Sequence, residues 1–198
     1  MTYGILKQKI FALLDIDGND IMTEGSAIAR ITSALPYTVD AVSRKVALHL
    51  KNILCCATLR FEKGSVGAQA TLPESAFGVQ KIVKNGRSYG AESFTLIGKN
   101  IIFFERGEGD FTVFYYAYPD VYTDETGDET EIPFDDLVAD IVAYGAAGEL
   151  SHTIYPSDMV RYMRLMTEYD ERIAAYLPRT GEDTVRNSLF SKRKGVSE

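Results

Sequence analysis

Residues 101–118, IIFFERGEGDFTVFYYAY, form the stretch that decides the fold. The apolar run at 101–104 is typical of a buried strand, and the run at 111–118 is almost entirely aromatic or β-branched. The intervening ERGEGD supplies turn chemistry, because its two glycines can adopt positive φ. Pro119 has no amide hydrogen for a sheet ladder, so the second strand should end there. The stretch therefore predicts a β-hairpin.

The hydrophobic period changes after this hairpin. Residues 132–136, IPFDD, are typical of a helix start, since proline is tolerated in the first turn and carboxylates favour the positive end of the helix dipole. Apolar residues then recur at three- and four-residue spacing, which indicates one buried face. The small residues 145–148, GAAG, would let another backbone approach closely. We expect that packing to offset the cost of two helical glycines, roughly 1 kcal/mol each.

Short strands are also predicted upstream of the hairpin. Alternating or β-branched runs mark strands at 57–61, 66–72, 77–83 and 93–97. The sequence Asn85-Gly86 is the clearest hairpin signal, because this pair suits the type I′ turn, whose twist matches that of paired strands. About six short strands at close spacing predict a small antiparallel lobe, sandwich or barrel-like, inserted between helices.

Helices are predicted on both sides of this lobe. Pro36 interrupts the upstream helical pattern, so a bent helix or two helices meeting at Pro36 is expected. In the downstream part, Ser157 or Asp158 is expected to cap the last helix, and Pro178 to end it. The Met and Tyr stripe of that helix fits either the core or a subunit contact.

The predicted fold class is thus α+β, with N- and C-terminal helices framing the inserted antiparallel lobe. The predicted organisation is a single domain over residues 1–178, with helices in 5–53 and 134–177, the β lobe at 57–118 and a flexible tail at 179–198.

Charge and hydropathy exclude some classes of function. The net charge of −7 argues against a dedicated nucleic-acid binder, whose affinity comes mainly from basic surface. Residues 120–140 contain nine acids and no lysine or arginine, whereas residues 192–194, KRK, form a small basic run. No segment reaches the roughly 20 apolar residues needed to span a bilayer. The first residues lack a signal-peptide pattern, so we expect synthesis in the cytoplasm and no membrane partner.

No residue pattern indicates catalysis or a metal. The loop after residue 14 invites comparison with a calcium-binding EF-hand, but Gly18 falls at position four rather than six, and Glu24 at ten rather than twelve. The adjacent Cys55 and Cys56 are poorly placed for a disulfide, so free thiols are expected. Phosphate-loop, nucleophile-elbow and metalloprotease motifs are absent from the sequence. We therefore expect no catalytic residue, no cofactor and no metal.

One resemblance points to a function. An aromatic strand ending in YYAYP, a Thr/Asp-rich loop, IPFDD and a small-residue helix resemble the head–tail adaptor (neck) proteins of tailed phages and prophages, over about residues 34–177. The resemblance implies a ring-forming virion protein at the head–tail junction, made in the bacterial cytoplasm, with portal and tail-completion proteins as partners. The acidic loop would meet basic surface on a neighbour, and the basic tail would order on the portal. The expected interface residues are Asp124, Glu125, Asp128, Glu129, Leu189, Phe190, Lys192, Arg193 and Lys194.

Two alternatives remain open on the sequence. A ligand-binding β module would use the tyrosine-rich lobe to bind a glycan or a peptide. A small hydrolase would need two carboxylates held at a defined separation across a cleft. An open aromatic groove would favour the binding module, and a deep pocket with converging acids would favour the enzyme.

Overall fold

The computed structural model describes residues 1–16, 27–64, 67–103 and 108–192, with side chains at the C-terminal end as far as Leu177. The fold is α+β, as predicted, with four described α-helices and a seven-stranded antiparallel sheet. The chain divides into two compact units, one of Met1–Val42 with Tyr122–Glu198 and the other of Ser43–Val121. We refer to them as the helical unit and the β unit. The single domain over residues 1–178 stays a prediction.

The helical unit contains α1 (Tyr3–Leu13), the first part of α2 (Ala27–Leu50), α3 (Asp136–Ile154) and α4 (Met159–Lys192). The Asp135 carboxylate accepts a hydrogen bond from the Val138 amide at 2.8 Å and caps α3. The Asp158 carboxylate accepts one from the Arg161 amide at 3.1 Å at the start of α4, as one of the two predicted caps.

Helix α3 is buried on most of its surface, and its two glycines are close-packing positions. A Cβ atom on Gly145 would lie 2.8 Å from both the Tyr169 ring and the Val42 side chain. A Cβ on Gly148 would lie 2.6 Å from the Met166 sulfur. The space at both glycines is thus filled by side chains of α4 and, at Gly145, of Val42, and the predicted approach of another backbone stays a prediction.

Two of the six prolines, Pro36 and Pro178, lie within described helices. Pro36 is inside the single helix α2, which is one of the two predicted arrangements. Helix α4 continues past Pro178 to Lys192, so the prediction that Pro178 ends this helix is wrong. The physical reason is that a helical proline removes one backbone hydrogen bond and bends the axis, but the following turns can still close their own bonds.

The described residues of the β unit form seven strands in the spatial order β4-β3-β7-β1-β2-β6-β5. Their bounds are β1 Leu54–Lys63, β2 Ala68–Thr71, β3 Ala76–Lys84, β4 Arg87–Tyr89, β5 Phe94–Ile97, β6 Asn100–Phe103 and β7 Gly109–Ala117. Strand β1 joins two ladders: it pairs with β7 from Leu54 to Phe61 and with β2 at Glu62 and Lys63. Side chains from both ladders fill one apolar core, as a sandwich requires.

The predicted hairpin at 101–118 is wrong in its pairing, although both strands exist. Strand β6 pairs with β2 and β5, whereas β7 pairs with β1 and β3. The nine residues of β7 bury alternate side chains (Phe111, Val113, Tyr115 and Ala117), and a long strand of this kind gains most from a central position with a neighbour on each side. Residues 104–107 lie outside the described part of the chain.

The turn at Asn85-Gly86 is confirmed. Asn85 has φ +50° and Gly86 has φ +78°, which are the two positive values that a type I′ turn requires. The return strand is β4, a three-residue strand that the sequence did not predict, so the lobe has seven strands rather than about six. Both cysteines are free thiols, as expected.

Over the described residues, no helix has both the length and the apolar character needed to cross a membrane.

Candidate functional site

The acidic loop, which we define as residues 122–131, is anchored on the N-terminus of α1. The Tyr3 amide donates to the Thr130 carbonyl at 2.8 Å, and the Gly4 amide donates to the Asp128 carbonyl at 2.9 Å. Thr2 and Glu131 form an isolated antiparallel bridge beside them. The first amides of a helix have no partner inside the helix, and here the loop supplies it. The loop is therefore fixed at its backbone rather than only by its side chains.

Gly4 and Lys7 hold the Asp128 end of the loop. A Cβ atom on Gly4 would lie 2.9 Å from the Asp128 Cβ and 3.0 Å from its carbonyl oxygen, so the two backbones approach as closely as they do only because Gly4 has no side chain. One turn later, the Lys7 ammonium forms an ion pair with the Asp128 carboxylate. The positive end of the α1 dipole adds to this attraction.

Tyr3 is the buried residue under the loop, with 1% of its surface exposed. Its ring stacks on Tyr122 with centroids 5.2 Å apart and planes 16° from parallel. Burial, followed by the charges of Asp128 and Asp124, raises the pKa of Tyr3 to about 12. The Tyr3 hydroxyl is buried and has no hydrogen-bond partner among the described residues. A buried hydroxyl without a hydrogen-bond partner is unfavourable, whereas the Tyr3 and Gly4 amides beside it are hydrogen-bonded to the loop.

A cavity of about 780 Å³ lies beside this anchor, lined by described residues of α1, α2 and the acidic loop. Tyr3, Phe11, Leu35 and Pro36 give it an apolar wall, and Asp124 is the one carboxylate that lines it. The volume falls within the range of small-molecule sites. Its described lining does not bring two acids together, which is the arrangement that a glycosidase would need.

The four predicted interface acids (Asp124, Glu125, Asp128 and Glu129) all lie exposed on the acidic loop. Asp128 is paired with Lys7, and Asp124 accepts a 3.4 Å hydrogen bond from the Tyr37 hydroxyl. The structure thus brings these acids onto one short, backbone-anchored segment. Their collective negative charge faces solvent.

The predicted tail residues are described only in part. Leu189, Phe190 and Lys192 lie in the backbone of α4, and their side chains are outside the description. Arg193 and Lys194 lie outside the described residues. The contacts of these tail side chains therefore lie outside the described part of the structure.

Helix α4 has a buried and an exposed side, and the predicted Met and Tyr stripe contributes residues to both. Leu165 is buried, and Met166 and Tyr169 pack on the glycines of α3. Val160 and Met163 have 82% and 56% of their surfaces exposed. The core interpretation is therefore confirmed for the buried side of α4, and a subunit contact on the exposed side stays a prediction.

The β unit carries an aromatic patch on the face opposite its core, formed by Phe77, Tyr116 and Tyr118. The Phe77 centroid lies 6.1 Å from that of Tyr116 and 4.7 Å from that of Tyr118. The Lys51 ammonium lies 5.8 Å from the centre of the Tyr116 ring. All three rings are half-buried, so part of each ring remains exposed.

Neither histidine lies in a metal or catalytic cluster of described residues. No group of three or more His, Cys, Asp or Glu side chains that could hold a metal is present in the described part of the chain. The His152 ring packs against Tyr162 with centroids 4.9 Å apart, and the Nδ1 atom of His49 lies 3.2 Å from the Lys45 carbonyl.

The sequence did not single out Tyr3, Gly4 or Lys7 as parts of this site. They are separated from the acidic loop by about 120 residues, and their local pattern is that of an ordinary first helical turn. The only signal was the glycine in that turn, which is unfavourable in a helix unless another segment approaches it.

Comparison with protein-family models and with curated proteins returns no match to this chain.

Proposed function

We propose that this protein is a structural virion protein of a phage or prophage, a ring-forming adaptor at the head–tail junction that links portal to tail. The observation that carries the proposal is the succession of an aromatic strand, an acidic loop and a small-residue helix, which resembles the adaptor family. In this role the protein assembles and does not turn over a substrate. It acts in the virion after synthesis in the bacterial cytoplasm, and its partners are portal and tail-completion proteins.

The anchored acidic loop supports an assembly role. A loop fixed through the Tyr3 and Gly4 amides presents its charges in one geometry, so little conformational entropy is lost when a partner binds. Exposed Glu125 and Glu129 then offer negative charge to a basic neighbour, a contact that mainly sets association rate and salt sensitivity.

The exposed side of α4 supplies the apolar part of such a contact. Val160 and Met163 lie one turn apart on this helix and extend beyond the part that packs on α3. Methionine is enriched in protein interfaces and adapts to irregular partner surfaces. An exposed apolar helix side and an anchored acidic loop on the same unit fit a subunit that is completed by other protein.

The loop is tested by charge reversal in binding to a portal protein, the partner that the proposal assigns. The double variant Glu125→Lys/Glu129→Lys should bind at least about tenfold more weakly at low salt, and the difference should shrink as salt screens the charges. The variant Glu74→Lys/Glu92→Lys is the matched control, because it changes the net charge equally at exposed sites of the β unit. Equal losses in both variants would show that the loop makes no specific contact.

The tail is tested by deletion of residues 179–198. If the tail orders on the portal, the shortened chain should lose portal binding while keeping the urea midpoint of the full chain. Unchanged affinity of the shortened chain for portal rings would exclude the tail as the docking element.

The aromatic patch favours a second candidate, a β module that binds a glycan or a peptide. Stacked rings flanked by a lysine are a common platform for such ligands. Titration of the full chain with oligosaccharides, followed by NMR, should then shift signals of Tyr116 and Tyr118. Tyr116→Ala should abolish the shifts, and Tyr37→Ala, at an exposed tyrosine of the helical unit, should not. An absence of shifts in the unmodified chain would dismiss this candidate.

A further inference from the structure

Strand β1 has one open edge. Its ladder with β7 runs from Leu54 to Phe61, but β2 pairs with its other side only at Glu62 and Lys63. No described backbone group pairs with the open side between Leu54 and Leu59. A sheet edge of this kind offers a row of amide and carbonyl groups to another strand.

The ladder register shows which residues direct their backbone groups to this open edge. The Ala117 amide donates to the Ile53 carbonyl at 3.1 Å, so Ile53 and Ala117 form a hydrogen-bonded pair. Hydrogen-bonded and non-bonded pairs alternate along an antiparallel ladder, which makes Leu54, Cys56 and Thr58 the non-bonded residues on β1. Their amides and carbonyls therefore point away from β7. The Tyr118 amide agrees with this alternation, since it donates to Ser75 on the opposite side of β7.

The side chains along this edge are exposed and uncharged. Leu54 has 48% of its surface exposed, and Cys56 and Thr58 are also exposed. The core-facing residues between them, Cys55, Ala57 and Leu59, are only half-buried, and Cys55 and Leu59 pack against the edge of the core. Sheet edges are usually protected by charge, proline or a bulge, and residues 54–59, LCCATL, supply neither charge nor proline.

We propose that the open edge of β1 pairs antiparallel with the same edge of a second copy of this chain. A two-fold axis would bring Leu54, Cys56 and Thr58 of one copy opposite the same three residues of the other copy, so that their free backbone groups form hydrogen bonds. Side chains that lie opposite each other in such a pair are on the same face of the sheet. Exposed side chains then face the same way in both copies. The half-buried Cys55, Ala57 and Leu59 come to lie beside their counterparts, which continues the core side of the sheet across the axis.

The other two edge strands of the sheet, β4 and β5, are less suitable as pairing partners for β1. Strand β4 has three residues and carries the charged Arg87. In β5, the two-residue turn after Ile97 makes Ile97 and Thr95 the residues bonded to β6, so the edge-directed residues are Phe94 and Leu96. The Phe94 and Leu96 side chains pack on the core side of the sheet. Antiparallel pairing of β5 with β1 would place them beside the exposed side chains of β1, on the wrong face of the sheet. Only a second β1 matches both the hydrogen bonds and the faces.

The contact is expected to be weak and reversible. One added strand covers less than the roughly 800 Å² per partner of a standard interface. The inference rests on the β unit alone and does not depend on the adaptor role, so portal binding and β1 pairing can succeed or fail separately.

Sedimentation velocity of the full-length chain over a range of concentrations tests the pairing. Thr58→Pro removes an amide that points to the open edge and leaves every β1–β7 hydrogen bond in place, so the dimer association constant should fall at least about tenfold. Thr58→Val keeps the amide and should dimerise like the unmodified chain. As a check on folding, Thr58→Lys keeps the amide but adds like charges near the axis and should also weaken the dimer, whereas Thr112→Lys on β7 should not.

Hydrogen exchange gives the residue-level test on the unmodified chain. With rising concentration the amides of Leu54, Cys56 and Thr58 should become protected, while those of Cys55, Ala57 and Leu59 are protected throughout. An unmodified chain that stays monomeric would overturn the proposal. So would new protection at β4 or β5 instead of β1, or a Thr58→Pro variant that dimerises as strongly as Thr58→Val.

Discussion

Tyr3 both anchors the acidic loop and contributes to the stability of the helical unit. Its ring is buried against Tyr122, its amide holds Thr130, and its hydroxyl has no partner among the described residues. A raised pKa means that the folded state binds the phenolic proton more tightly than the unfolded state does. That contribution to stability is fully present below pH 10 and is lost as the pH rises through about 12.

The variant Tyr3→Phe tests this residue. At pH 7 the free energy of unfolding should be unchanged or slightly raised, because the variant removes a buried hydroxyl that lacks a partner. Between pH 10 and pH 12 the unmodified chain should lose up to about 2–3 kcal/mol that the variant retains. Urea unfolding at each pH measures the difference. Parallel pH profiles for the two proteins would contradict this account of Tyr3.

Gly145 is the residue on which the packing of α3 against α4 depends. Alanine has the higher helix propensity, by about 1 kcal/mol, but its Cβ would overlap Tyr169 and Val42. Overlap of this kind costs about 1–3 kcal/mol, so Gly145→Ala should lower the free energy of unfolding despite its better propensity. Gly127→Ala is the control, since its nearest neighbour would be Thr130 at 3.9 Å, an ordinary contact. A stabilised Gly145→Ala variant would show that the two helices separate easily.

At the scale of single elements, capping decides where α3 begins. Asp135→Ala removes the side chain that accepts from the Val138 amide and should cost about 1 kcal/mol of stability. Asp135→Asn keeps an acceptor oxygen in the same place and should stay within a few tenths of the unmodified chain. Chemical denaturation compares the two. If both variants lose the same amount, the charge of Asp135 matters rather than its hydrogen bond.

The existence and type of most elements could be predicted from local sequence. The aromatic run that becomes β7, the Asn85-Gly86 turn and the small-residue helix α3 each carry a strong local signal. Strand pairing could not be predicted in the same way. Strands β6 and β7 are consecutive and apolar, yet each gains more from other neighbours, and that choice depends on long-range packing rather than on the turn between them.

At the candidate site, too, the sequence predicted one part of the acidic loop's structure and not another. Its charge was visible in the sequence, and all four predicted loop acids are exposed. Its anchor on Tyr3 and Gly4 was not visible, because backbone hydrogen bonds between segments about 120 residues apart have no side-chain signature. The predicted end of α4 was also wrong. A proline often ends a helix, but the turns beyond Pro178 remain helical.

At the scale of the whole molecule, both units expose surfaces that the proposals assign to contacts with other protein. The helical unit presents the anchored acids and the exposed side of α4, and the β unit presents the open edge of β1. A net charge of −7 gives copies of this chain a weak mutual repulsion that salt screens. Assembly on a basic partner would relieve that repulsion, which is why the adaptor proposal predicts binding that weakens as salt is added.

The most direct measurement is electron microscopy of the full-length chain mixed with a portal ring, the partner that the proposal assigns. The adaptor proposal predicts a closed ring of copies of this chain, seated on one end of each portal particle. Particles should lose this ring when the acidic loop carries Glu125→Lys/Glu129→Lys and keep it when the control pair Glu74 and Glu92 is reversed. Portal particles that remain bare at saturating concentrations of the unmodified chain would contradict the proposal.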